Sequence, residues 1–166
     1  MRDAPLQIDP TAYVSPDARI HPSERGTRIV IGAHSRIYDF VVIRAVGGAG
    51  DIVIGEHCYI NANCTLYSGS GIRMGNYVLI APGCSIVPAN HEIARTDVVM
   101  RKQGFMPSKG GVVIEDDVWI GANCVILDGA HIGAGSILTP NSVVSGRIPP
   151  NSIVQGNPAK VIFTRR

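Results

Sequence analysis

The side chains with chemistry to offer are five histidines (His21, His34, His57, His91, His131) and four cysteines (Cys58, Cys64, Cys84, Cys124). An imidazole titrates near neutral pH and can take a proton from a hydroxyl as that hydroxyl attacks. A thiol can serve as nucleophile or metal ligand, but no Cys-x-x-Cys spacing occurs here. His91 is set apart by its surroundings. It stands near the start of a long stretch, residues 87–113, that mixes Ile93, Val98, Val99, Met100, Phe105 and Met106 with Arg95, Arg101, Lys102 and Lys109. A disordered insert would be poorer in apolar residues. A loop this long in a compact domain is usually functional. It reads as a protruding loop made to lie against another surface, that of a neighbouring subunit, and as the place to seek chemistry.

The elements around that loop are set by a period of six. From Ile114, the positions Ile120, Ile126, Ile132, Leu138 and Val144 are all large aliphatics, and the fifth place of each block reads Val118, Cys124, Ala130, Ser136, Ser142. The same register runs through Ile8, Val14, Ile20, then Ile31, Ile37, Ile43, then Ile54, Ile60, Leu66. After a two-residue slip it resumes at Met74, Ile80 and Ile86. A helix would recur at 3.6 residues and a flat sheet at two. Each block is therefore a short strand plus a corner, with an aliphatic and a small residue turned inward to stack on neighbouring coils. All four cysteines occupy the small inward position, where a thiol packs as a small hydrophobe; Cys64 and Cys84 should stack one coil apart. Breaks at Glu24 to Val30, and at Ala45 to Asp51 through Gly47-Gly48-Ala49-Gly50, read as corner loops.

The pattern resembles the hexapeptide-repeat acyltransferase superfamily, which implies an all-β, single-stranded left-handed parallel β-helix with three hexads per coil. One domain, 1–166, is expected, with the protruding loop at 87–113 and a C-terminal coenzyme-binding segment at 145–166. From Ala81 onward the chain is similar to the sugar and polysaccharide O-acetyltransferase branch, with the galactoside and maltose enzymes. The matching features are Ile80-Ala81-Pro82, Asn90-His91, Val118-Trp119-Ile120-Gly121, Ile148-Pro149-Pro150 and Gly156-Asn157-Pro158-Ala159-Lys160. The resemblance implies acetyl-CoA as cosubstrate, His91 as general base and Asn61 as an outward, acceptor-side residue. It implies Trp119, Ala122, Pro140, Ser145, Gly146, Arg147 and Lys160 around the coenzyme. The family's usual Gly-Ala-Gly and Thr-Lys-Asp are here Thr139-Pro140-Asn141 and Ser145-Gly146-Arg147, which alters the coenzyme contacts. Either a backbone carbonyl or a carboxylate, with Glu92 adjacent, is needed to hold the His91 tautomer. Arg165 and Arg166 read as a solvated tail.

Composition narrows the partners. A net charge of +2 is too small for a phosphate-backbone binder, so no nucleic acid is expected. The opening residues carry no apolar signal core and no run spans a bilayer, so a cytoplasmic location without integral membrane contact is the default. Repeats begin by Ile8, leaving no room for the helical N-terminal extension of serine or maltose-type acetyltransferases. A homotrimer with sites between subunits, taking a sugar or nucleotide-sugar acceptor for bacterial surface polysaccharide, is the expectation, and no metal is expected. Two alternatives stand beside it. One is a γ-type carbonic anhydrase-like metalloenzyme, suggested by Val42-Ile43-Arg44. The histidines lack that family's five-residue spacing, and His57 and His131 read as corner residues. The other is a non-enzymatic β-helix assembly protein.

Overall fold

The computed structural model describes residues 5–46 and 50–166. Residues 47–49, part of the glycine-rich corner loop expected from the sequence, lie outside the described residues, as do residues 1–4. The chain winds as a three-sided prism of parallel sheets. The first face runs through Leu6–Ile8, Ile29–Ile31, Ile52–Ile54, Ile72–Met74, Val112–Ile114, His131–Ile132 and Arg147–Ile148. The second runs through Tyr13–Val14, Arg36–Ile37, Tyr59–Ile60, Leu79–Ile80, Trp119–Ile120, Ile137–Leu138 and Ser152–Gln155, and Lys160–Thr164 closes it as an antiparallel edge strand. The third holds Arg19–His21, Val42–Arg44, Thr65–Tyr67, Ser85–Val87, Val125–Leu127 and Val143–Val144. This is the left-handed β-helix that the family resemblance implies.

The register matches in detail. Ile37, Ile43, Ile60, Leu66, Ile80, Ile86, Ile120 and Ile126 are fully buried and form one axial core. Each such column lets neighbouring coils bury what a single coil cannot. The small fifth position is more than a filler. Its hydroxyl or thiol donates to a carbonyl in the next coil: Ser35 to Gly55 (2.8 Å), Cys58 to Gly75 (3.1 Å), Cys64 to Ala81, Cys84 to Gly121 and Cys124 to Thr139 (each 3.2 Å). Corner carbonyls that would otherwise be buried without a partner are thereby satisfied. Burial pushes the Cys58 thiol up, and in Cys124 the hydrogen-bonded neighbour Cys84 and burial do the same.

The corners use left-handed backbone at the fourth place of the hexad, filled by His34, His57, Asn63, Asp117, Asn123, Asn141 and Asn151, with Phe40 and Tyr77 as bulky exceptions. Asn and Asp tolerate this conformation because their short side chains bond locally. Three bounds differ from expectation. Ile29 and Val30 already belong to a strand, and Val87, Val112 and Val113 are strand residues, so the protruding loop is 88–111. His131 is not a corner residue but lies on a strand and pairs with Glu115 (2.6 Å). Arg165 is not a free tail either, since its guanidinium meets Asp117 (3.7 Å) and the Gly135 carbonyl.

Candidate active site

The loop leaves the third face after Val87 and returns to the first at Val112, so it rises from the edge joining those faces. Its two arms pair. His91 bridges Phe105 antiparallel, the Glu92 N–H donates to the Gly104 carbonyl (3.1 Å) and the Met106 N–H to the Asn90 carbonyl (2.9 Å). At the apex the short helix Met100–Gln103 is tied back by Gln103. Its amide donates to the carbonyls of Arg95 (2.7 Å) and Val98 (2.6 Å) and accepts from the Arg95 N–H (3.0 Å). At the foot of the return arm, Asp128 is 4% exposed and accepts from the Ser108 hydroxyl (3.1 Å) and the backbone N–H groups of Lys109 (2.6 Å) and Gly111 (2.9 Å). A buried carboxylate with three donors is satisfied and rigid.

This scaffold presents His91 in a definite way. The ring stacks on Phe105 at 4.7 Å, and Nδ1 lies 3.2 Å from the Gly104 carbonyl. A carbonyl only accepts, so Nδ1 carries the proton and Nε2 keeps its lone pair for an incoming hydroxyl. Of the two groups considered for holding the tautomer, the backbone carbonyl does so. Glu92 instead accepts from the N–H groups of Ile93 (2.8 Å) and Ala94 (2.9 Å). Gly104 and Asp128 were not singled out in the sequence; Gly104 offers only its main-chain carbonyl, and Asp128 belongs to no motif.

The remaining residues fall into two groups. Ser145 and Gly146 share the edge of the His91 loop, and Arg147 follows on the first face opposite His131. Asn61, Ala122 and Pro140 line a different edge, between the second and third faces, and Trp119 stands 48% exposed on the second face between Leu79 and Ile137. Lys160 begins the edge strand of that same face, exposed and paired with Gln155. The expected C-terminal coenzyme segment is therefore divided between two edges of the prism. The Asn61 side-chain amide donates to the Ile80 carbonyl at 2.8 Å. Gly121 has no room for a side chain; an added Cβ would stand 2.7 Å from both the Leu138 carbonyl oxygen and the Pro140 nitrogen.

The bacterial transferase hexapeptide family (six repeats) matches residues 111–146. The galactoside O-acetyltransferase of Escherichia coli is 36% identical over 112 residues, 68% of this chain and 53% of that protein. The chain belongs to the hexapeptide-repeat acetyltransferase family. It spans about half the length of the curated relatives it matches. Among solved structures, the hexapeptide-repeat acetyltransferase VCA0836 of Vibrio cholerae, complexed with acetyl coenzyme A, is 29% identical with a TM-score of 0.57, over 96% of this chain and 70% of that one. A mutant of AntD, a Bacillus cereus N-acyltransferase, in complex with a dTDP-linked amino sugar and coenzyme A, is 25% identical with a TM-score of 0.81, over 97% of this chain and 84% of that one.

Proposed function

We propose that this protein moves an acetyl group from acetyl-CoA to a hydroxyl of a sugar, by direct attack with His91 as general base, in the building of bacterial surface polysaccharide. The observation that carries the reading is the 3.2 Å contact from Nδ1 to Gly104 O, which commits one ring nitrogen and frees the other. Nε2 takes the hydroxyl proton while the oxygen attacks the thioester carbonyl. The tetrahedral intermediate then collapses, the C–S bond breaks, and the imidazolium returns the proton to the leaving thiolate. The amide of Asn61, with hydrogen-bonding capacity beyond its bond to Ile80, orients the hydroxyl or steadies the oxyanion in this reading. A covalent acetyl-cysteine has no support, since all four thiols are buried in the core.

The division of the site residues between two edges supports a homotrimer. The His91 edge of one protomer set against the Trp119 and Asn61 edge of the next completes what neither holds alone. Trp119 (48% exposed), Ala122 and Pro140 line the pantetheine path, Lys160 meets the coenzyme's phosphate, and Ser145, Gly146 and Arg147 approach from the other side. An amine acceptor is the second reading, favoured by the likeness to the B. cereus N-acyltransferase bound to an amino sugar. Acetyl-CoA is expected to raise the melting temperature and to release thiol only when an acceptor is added. No stabilisation by acetyl-CoA would favour the non-enzymatic assembly reading.

A further inference from the structure

We propose that the acceptor carries a phosphate or diphosphate, held in a basic recess formed by His21, Arg25 and Arg44. The inference rests on the reading of the His91 edge as the acceptor's side of the site. The recess has a volume of about 430 Å³ and lies at the corner that follows the strand Arg19–His21. His21 and Arg44 are cross-strand partners on the third face, and Arg44 is followed by Tyr67 on the next strand. Arg25 reaches the same recess from the corner, whose turn is held by the Arg25 N–H on the Ser23 hydroxyl (2.9 Å).

The charge there is unbalanced. Arg28, Arg95 and Arg165 each meet a carboxylate. Among the described residues neither Arg25 nor Arg44 has such a partner, and Glu24 is the only acid lining the recess. Two guanidinium groups, Arg25 and Arg44, line one recess and repel, and an anion between them relieves that repulsion. Two guanidinium forks match the oxygens of a phosphate, and the imidazole adds a further donor.

The recess also lies in the right place. It shares its edge with the catalytic loop through continuous hydrogen bonds: the Ser68 hydroxyl accepts from the Val46 N–H (2.8 Å), the Gly69 N–H donates to the Val46 carbonyl (2.9 Å), and the Ser70 N–H to the Pro88 carbonyl (2.9 Å). Two to three strand spacings separate it from the loop's origin, roughly 10–15 Å. A sugar ring with its diphosphate spans such a gap, hydroxyl toward His91 and phosphates toward the arginines.

Inorganic pyrophosphate, a sugar 1-phosphate, a nucleoside diphosphate and neutral galactose are titrated into the assembled protein by calorimetry, with the coenzyme slot saturated with CoA. The phosphate-bearing probes are expected to bind, more weakly as salt rises. The exposed double variant Arg25→Gln/Arg44→Gln is expected to weaken them at least about tenfold with CoA affinity unchanged. A nucleoside diphosphate binding more tightly than pyrophosphate identifies a nucleotide-linked sugar, and equal binding a simple sugar phosphate. Failure of pyrophosphate to bind the wild type at millimolar concentration, or equal binding by the double variant, overturns the proposal. Failure of CoA to bind overturns the acetyltransferase reading instead, and the comparison of wild type with variant still decides the recess.

Discussion

At His91 the Gly104 carbonyl engages Nδ1 and leaves Nε2 with its lone pair. No sequence pattern announces it, because the partner is main chain thirteen residues away. The cysteines were legible for the opposite reason: their place follows from counting in sixes, and all four are buried. In native protein they are expected to react slowly with a thiol reagent and to label fully only on unfolding; rapid native labelling of two or more would break the register. On the first face, the His131 hydrogen bond and then the Ala134 N–H hold the Glu115 carboxyl below its ordinary value. A depressed carboxylate contributes stability that is present above its unfolded value, about 4.5, and lost as pH falls through the folded one. Glu115→Gln should therefore cost a few tenths of a kcal/mol at neutral pH and flatten the acid limb of an unfolding titration. An unchanged acid limb would mean that the pair contributes nothing.

The strands and corners were readable at the scale of the element, and the loop's inner architecture was not. Position one and position five set most inward residues, whereas the left-handed fourth position, with His34, Asn63, Asn123 and Asn141, is a signal visible in the chain once the geometry is known. The loop folds by contacts between its own arms and with Asp128, which are long in sequence and follow no period. Because the carbonyl that orients His91 lies on the return arm, and Asp128 clasps the foot of that arm, Asp128→Ala should lower turnover by about tenfold or more. A buried donor left unpaired costs roughly 1–3 kcal/mol, enough to loosen the arm. Acetyl-CoA affinity should stay near wild type, and Asp128→Asn, which keeps an acceptor, should recover part of the rate. Steady-state kinetics of the two variants separates this from general destabilisation, which would lower both equally.

At the scale of the molecule, the protomer leaves apolar surface uncovered. Tyr59, Leu79 and Trp119 form an outward ladder on the second face, with Tyr13 beyond Arg36, and Ile93, Val99, Met100 and Phe105 are exposed on the loop. Surface of this kind is normally covered by a partner, and a three-sided prism with its site residues on two edges suits three-fold closure. Light scattering should find a stable trimer across the micromolar range, and a monomer there would count against a site shared between subunits. Acetyl transfer through His91 is tested most directly by thiol release from acetyl-CoA in wild type and His91→Ala, measured with a responsive acceptor. The variant should keep its assembly and coenzyme affinity and lose turnover by about 10²–10⁴-fold. Near-normal turnover in His91→Ala would contradict the assignment.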